Sequence, residues 1–440
     1  MGFFQRIKRN SLERELSHRE LEKRYEGRIV AKKEKSVREN LLKISLQNIE
    51  QMQLLGRRTS AMSYYDELVT TDARMKEVQN FKGKVIGTFC NFVPEELIYA
   101  AGAIPIRLCA GFYDTIHPAE EILPKDICPL IKSAFGFKLL GLPYFELCDV
   151  VIVPTTCDGK KKLGELLVPY LPVWMLEIPH SKDYLKGEVW LTEIKVLKRR
   201  IEEFTQTKIT KEGLKDAILL LHKRQEVFRR LYRIRKYDPP VITGSDAMLV
   251  VQTSFYDDIR RWIKRTNELC KELEEQRSNN SHLPDVQVTN NRLLLTGAPI
   301  IWPNFKLIHI IEAAEATIVM DDMCSGTQHL YDPVVVDEWT LTGMLRAIAE
   351  RYLLPSTCPC FTSSDDRIDR LLERIKGFAV DGVIYHNLRL CQLFDIEQQT
   401  IKQILKDKGI PMLSIHTDYS REDIEQIKTR VEAFLEMLKR

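Results

Sequence analysis

Asp149-Val150-Val151-Ile152-Val153-Pro154, running on through Thr155-Thr156 to Cys157, reads as a strand that empties into a cysteine loop. A helix follows from about Lys161, and Pro172-Val173-Trp174-Met175-Leu176 supplies the next strand. The same passage recurs downstream: Asp381-Gly382-Val383-Ile384-Tyr385, a Cys391 loop, a helix, and Ile410-Pro411-Met412-Leu413-Ser414-Ile415. Upstream of each copy stands a second matched pair. Val85-Ile86-Gly87, a helix opened by Pro94, and the strand Ala103-Ile104-Pro105-Ile106-Arg107-Leu108 correspond to Leu293-Leu294-Leu295-Thr296-Gly297, a helix after Pro303, and Thr317-Ile318-Val319-Met320. Strands alternating with helices predict parallel sheets. The expected fold class is therefore α/β, with two related Rossmann-like or flavodoxin-like parallel-sheet domains.

Between the copies, long charged amphipathic stretches such as Ile218-Leu219-Leu220-Leu221 with Val227, Leu231 and Ile234 predict a helical insert ending in a loop at Ser278-Asn279-Asn280-Ser281. Before them lies a charged, proline-free segment in which Val37, Leu41, Ile44, Ile49 and Met52 recur at helical spacing. It reads as a solvated helix with one packed stripe, or as a dimerisation or docking arm. The expected organisation is a helical arm over residues 1–80, a first α/β domain over 81–184, the insert over 185–284, and a second α/β domain over 285–440.

A chain of 440 residues exceeds one ordinary core, which agrees with that division. Its 65 basic and 62 acidic residues nearly balance, so nothing argues for nucleic acid as a partner. No apolar run is long enough to cross a bilayer. The opening Met1-Gly2-Phe3-Phe4-Gln5-Arg6-Ile7-Lys8-Arg9 has neither the apolar stretch of a secretion signal nor the myristoylation pattern. A cytoplasmic protein is expected.

In that compartment ten cysteines call for something other than disulfides. The repeat sorts them. Cys157 and Cys391 follow matched strands, where α/β folds place their sites; Cys128 and Cys360 precede them, and Cys90 and Cys324 lie further back. Each set of three spans 67 residues. Strict topology pairs Cys324 better with Cys109, which makes Cys90 the least secure member. Thiolates are soft ligands, and three of them on loops at the carboxyl ends of strands can hold an iron–sulfur cubane. Structural zinc more usually shows Cys-x-x-Cys pairs, and Cys358-Pro359-Cys360 is too tight for one. Spacing alone leaves iron–sulfur, buried apolar thiols, and zinc or thiol catalysis all standing.

Pro94-Glu95-Glu96-Leu97-Ile98-Tyr99-Ala100-Ala101-Gly102-Ala103-Ile104-Pro105, Thr156-Cys157-Asp158-Gly159-Lys160-Lys161, Asp381-Gly382-Val383-Ile384 with Cys391, Pro359-Cys360 with Arg367, and Gly409-Ile410-Pro411 resemble the 2-hydroxyacyl-CoA dehydratase / benzoyl-CoA reductase family over residues 80–440. Six cysteines on one chain look most like its double-cubane cluster proteins. That resemblance implies Cys90, Cys128, Cys157, Cys324, Cys360 and Cys391 as ligands of two sulfide-bridged 4Fe–4S cubanes, or alternatively of one 4Fe–4S cluster. It further implies a homodimeric, oxygen-sensitive oxidoreductase that passes low-potential electrons to a small-molecule substrate. A separate ATP-hydrolysing iron–sulfur activase would supply them. The alternatives are a dehydratase (lyase) subunit with a single cluster and a non-catalytic electron-storage protein. The chain carries no P-loop or dinucleotide fingerprint, consistent with ATP handled by a partner.

Other residues have a plain reading beside a functional one. Lys160, Lys161 and Lys162 could steady an anion but read better as a solvated helix start. Glu95 could donate a proton but reads as a first-turn acid. His329 and His386 read as structural, and Asp321-Asp322 as loop caps.

Overall fold

The computed structural model describes residues 27–55, 58–278 and 291–438. The chain opening at Met1–Arg9 and the loop expected at Asn279–Ser281 lie outside the described residues. Two four-stranded sheets form, and every pairing in them is parallel. The first contains β1 (Val85–Thr88), β2 (Ile104–Arg107), β3 (Val150–Pro154) and β4 (Val173–Leu176) in the order β2-β1-β3-β4. The second contains β5 (Asn291–Gly297), β6 (Ala316–Asp322), β7 (Gly382–Leu388) and β8 (Met412–Thr417) in the order β6-β5-β7-β8. The α/β repeat read from the sequence is thus a repeat of topology, with matching strands in matching places. In each sheet the chain steps outward once and then reverses across its first strand. The crevice beyond the carboxyl ends at that reversal is where such folds bind ligands.

Gly297 shows why the second sheet can close there. Its φ is +107°, and a Cβ would sit 2.0 Å from the His386 carbonyl oxygen on β7. That approach lets the Ala298 amide donate to the same carbonyl at 2.8 Å, while His386 Nδ1 lies 2.7 Å from the Ala298 carbonyl. His386 is a turn-holding residue, as its plain reading has it.

The helices of the insert do not stand apart from the sheets. Trp190, Ile194 and Ile201 from the helix Tyr184–Thr205 enter the core of the first half, together with Met344, Ile348 and Tyr352 from the helix Leu341–Leu353 of the second. The helix Lys211–Ile234 serves both cores: Leu214 and Ile218 join the first, Phe228 and Tyr232 the second. Side-chain caps from Asp183, Thr210 and Thr340 start three of these helices by accepting first-turn amides. The helix Gly27–Leu54 straddles the two halves in the same way. Val37, Leu41 and Ile44 pack on the first core, and Ile49 and Met52 on the second. Its sequence stripe is therefore a seam between the halves. Among the described residues no helix is long and apolar enough to cross a membrane.

Candidate functional site: a thiol nest between the two sheets

Each half delivers its cysteines from the carboxyl ends of its strands. Cys90 follows β1, Cys109 follows β2, and Cys157 follows β3; Cys324 follows β6 and Cys391 follows β7. By position Cys109, and not Cys90, is the counterpart of Cys324. Cys90 sits at a turn with φ of +56°, its sulfur 3.5 Å from Thr156 Oγ1.

Three cysteines occupy the N-cap position of helices: Cys128 before Pro129–Leu139, Cys157 before Asp158–Leu167 and Cys391 before Gln392–Asp407. The Cys157 sulfur accepts the Lys160 amide at 3.4 Å. Cys128 and Cys391 face the first-turn amides of Leu130 with Ile131 and of Phe394. A helix start carries uncommitted N–H groups and the positive end of the dipole, so it favours sulfur as thiolate.

The thiols do not sort by half. Cys128 of the first half and Cys391 of the second share a hydrogen bond, which pushes the Cys128 thiol down to about 7 and Cys391 well above its usual value. Cys157 lies within electrostatic reach of Cys128, Cys391 and Cys90. Cys90 in turn reaches Cys109 and Cys324, and Cys324 reaches Cys358, which is hydrogen-bonded to Cys360. Burial pushes Cys90 up to about 12 and Cys157 and Cys324 up to about 11. Burial also acts on Cys109, but Arg107, Lys160 and the Cys90 amide outweigh it and hold that thiol below its ordinary value. All six expected ligands therefore belong to one chain of neighbours, with Cys109 and Cys358 added. Cys360 joins it only through Cys358. The other two cysteines are elsewhere: Cys270 is buried in the second core, and Cys148 donates to the Tyr144 carbonyl at 3.1 Å. Among the described residues no three His, Cys, Asp or Glu groups crowd closely enough to hold a single metal ion. The thiols are spread more widely than the ligands of one ion.

Two cations lie among these thiols. Lys160 is 4% exposed, its Nζ has no hydrogen-bond partner, and it lies 4.1 Å over the Phe89 ring. Five thiols surround it electrostatically: Cys90, Cys109, Cys128, Cys157 and Cys324. Its neighbours Lys161 and Lys162 point to solvent and pair with Asp158 and Glu165. The solvated reading of the lysine run therefore holds for two of its three members. Arg107, at the end of β2, is 7% exposed, none of its guanidinium nitrogens has a hydrogen-bond partner of good geometry, and it faces Cys109, Cys324 and Cys90. Sequence reasoning passed over Arg107, although a lone charge ending an apolar strand beside Cys109 was the available signal. It also passed over Tyr419, which is 5% exposed and within reach of Cys128, Cys109 and Cys391.

The second half braces its cysteine loops with paired charges. Arg367 is 2% exposed; it donates to the Thr357 carbonyl at 2.9 Å in the Cys358–Cys360 loop and lies 2.8 Å from Glu397 on the helix capped by Cys391. It is also 3.6 Å from Asp322, which ends the strand before Cys324 and meets Arg374 on its other oxygen. Asp321 accepts the Thr327 amide at 3.1 Å, closing the Cys324 loop, and pairs with Arg235 at 3.0 Å and with Tyr232. The two aspartates are loop caps and struts. Glu95 stands in the first turn of the helix Glu95–Ala100, as its plain reading has it, and is buried there: it is 6% exposed, 2.7 Å from Arg224 and 3.1 Å from His329 Nε2. Burial alone would raise its carboxyl, but Arg224 and His329 outweigh that and hold it well below the usual range.

Paired parallel sheets, with cysteines of both halves brought within reach of one another beyond their strands, define a cysteine-rich α/β protein. The chain belongs to the family of the 2-hydroxyglutaryl-CoA dehydratase D-component, whose model matches residues 90–438. The family kinship expected from the motifs is borne out. A putative dehydratase subunit, YjiM, from Escherichia coli K12 is 34% identical over 80% of this chain and 91% of its own length. The (R)-phenyllactyl-CoA dehydratase beta subunit of Clostridium sporogenes is 23% identical over 83% and 94%. A benzoyl-CoA reductase subunit of Thauera aromatica is 22% identical over 85% and 96%.

Proposed function

We propose that this chain holds a double-cubane iron–sulfur cluster and works as an ATP-dependent, low-potential reductase of a small molecule in the cytoplasm. A separate ATP-hydrolysing iron–sulfur activase delivers the electrons, and the working unit is a homodimer. The observation that carries the reading is Lys160, a buried ammonium with no partner in the middle of five thiols. An uncompensated buried charge costs several kcal/mol, on the order of a whole domain's margin of stability. Anionic sulfur in the same space removes that cost. The donor set fits the group: soft thiols, three of them at helix N-caps, with Arg107 as a second uncommitted cation.

Cys90, Cys128, Cys157, Cys324, Cys360 and Cys391 would hold the cluster, with Cys109 the rival for Cys90's place. When bound, the cluster supplies one-electron transfer at low potential, tuned by its surroundings. The protein's own contribution is positional. Helix N-termini orient Cys128, Cys157 and Cys391, Arg367 fixes the loops of the second half, and Lys160 with Arg107 favours accumulated negative charge. Apolar packing by Ile116, Leu130, Ile301 and Leu388 shields the flank near Cys128 and Cys391 from water.

The second reading is a 2-hydroxyacyl-CoA dehydratase subunit with a single 4Fe–4S cluster, favoured by relatives that are themselves named as subunits. Iron and acid-labile sulfide, assayed after strictly anaerobic purification, separate the two. The double cubane requires about eight irons per chain, and about four would transfer the assignment to the dehydratase reading. A colourless, iron-free protein would end both. Cys157→Ala is expected to remove most of the bound iron.

A further inference from the structure

The second half carries a polar knot that the first half lacks at the same place in the repeat. Asn387 on β7 and His416 on β8 are register partners, and Asp395 and Gln398 stand one turn apart on the helix Gln392–Asp407. The other three side chains converge on one oxygen of Asp395. Its Oδ1 is 3.0 Å from Asn387 Nδ2, 3.2 Å from Gln398 Nε2 and 2.8 Å from His416 Nε2, and the last two nitrogens are 3.0 Å apart. Counted from the capping residues Cys391 and Cys157, the equivalents of Asn387, Asp395 and Gln398 are Val153, Lys161 and Gly164, and Val153 is in register with Met175. Apolar packing fills that place: a Cβ on Gly164 would lie 2.5 Å from Met175 Sδ and 3.5 Å from Val153 Cβ. The fold itself therefore asks for no polar groups here.

Hydrogen bonds alone leave the knot in conflict. His416 Nε2 can donate to Asp395 or accept from Gln398, and one ring nitrogen cannot do both. Asn387 is fully buried and Gln398 is 4% exposed, yet Asn387 Oδ1 and Gln398 Oε1 have no partner. Turning either amide so that its oxygen meets Asp395 therefore breaks no hydrogen bond on its far side. In that orientation every atom at the centre offers a lone pair, which is what a cation needs. The spacing fits one. Ligands about 2.1 Å from an octahedral ion stand about 3 Å apart, whereas those of tetrahedral zinc stand about 3.4 Å apart. The side chains of His416 and Asp395 are 41% and 55% exposed, so the knot is open to solvent on one side.

We propose that Asp395, Gln398 and His416, with Asn387 as a fourth ligand, hold an octahedral divalent first-row metal ion of the Mn2+ or Fe2+ kind. One imidazole among oxygen donors suits those ions better than Mg2+. Water completes the shell on the exposed side. Only two of the four ligands are acids or imidazoles, and the other two are amides. The site stands apart from the thiols and does not rest on the cluster reading. The Asp395 amide donates to the Cys391 carbonyl at 3.0 Å, so an ion here ties the start of the helix that Cys391 caps to β7 and β8.

The test titrates Mn2+ into the full chain, purified anaerobically with whatever iron it holds. Binding is followed by calorimetry and by loss of the free-ion electron paramagnetic resonance signal. One Mn2+ should bind per chain, at least tenfold more tightly than Mg2+, and the bound ion should show hyperfine coupling to a ring nitrogen. His416→Ala should weaken binding at least tenfold and remove that coupling. Gln398→Glu should tighten binding severalfold by adding a charged oxygen at the same place. Mn2+ held by the thiols instead would ignore both substitutions. Absence of saturable binding, no nitrogen coupling, a His416→Ala protein that keeps its affinity, or a Gln398→Glu protein that binds no more tightly would overturn the proposal. If His416→Ala does not fold, the coupling in the unaltered protein and the gain in Gln398→Glu still decide it. Iron assayed on the same samples judges the cluster reading separately.

Discussion

Lys160 in the first half and Arg367 in the second are both buried cations beside a cysteine loop, yet only Arg367 has partners. It joins Thr357, Glu397 and Asp322, and so ties together the segments that lead to all three cysteine loops of its half. Lys160 and Arg107 touch no acid. One topology has thus been used twice, once as a charge-neutral brace and once with positive charge left over. The brace fixes geometry, and the surplus calls for an anion. A site needs both, and the repeat divides the work between its copies.

The comparison can be attacked at its strongest point first. Arg367→Met should destabilise the protein by about 3–5 kcal/mol, because it strands Glu397 in the interior. Urea unfolding of the iron-free protein measures this, and a loss under 1 kcal/mol would mean the brace is not a brace.

Next comes a carboxylate in the braced half that lacks a cation. Glu312 accepts the Gly244 and Ser245 amides at 2.5 and 3.2 Å, and burial raises it to about 7. Its pKa is higher folded than unfolded, so its contribution is complete below the unfolded value and is lost as pH rises through about 7. Stability should therefore fall between roughly pH 4.5 and 7 by an amount on the order of 2–3 kcal/mol. Glu312→Gln should flatten that slope, and an unchanged slope would assign it to other groups.

The smallest effect has the most telling sign. Lys160→Met should stabilise the iron-free protein by about 1–3 kcal/mol, since it removes an unpaired buried charge. The same variant should retain less iron. Lys161→Met, at an exposed position, should change neither measurement. Destabilisation by Lys160→Met without iron would show that the lysine has a protein partner.

The sheets were legible because a buried strand bounded by glycine or proline writes itself as an apolar run, and the repeat doubled the signal. Cys157 and Cys391 were legible for the same reason, as the residues that end such runs. Lys160 was misread because the helix begins at Asp158 under the Cys157 cap, and not at about Lys161. That shift in phase turns one lysine of three inward. Glu95 was read correctly as a first-turn acid, but its burial was not legible, because the solvent side of its six-residue helix is covered by Lys211–Ile234, a packing that no local pattern encodes. The grouping of Cys128 with Cys391 belongs to tertiary structure in the same sense. Sequence order sorts thiols by half, and the fold sorts them by which sulfurs it brings together.

The Cys128–Cys391 contact also has a consequence for the order of synthesis. Cys128 leaves the ribosome long before Cys391 exists, while domains tend to fold as they emerge. Through that interval the first half carries Lys160 and Arg107 without the sulfur that Cys324 and Cys391 will bring. Its interior should stay loose until the last strand pair arrives, so the finished chain, and not the nascent one, is the form able to take up cargo. A ribosome-bound chain stopped before β5 should exchange the β1 and β3 amides faster than the complete protein does.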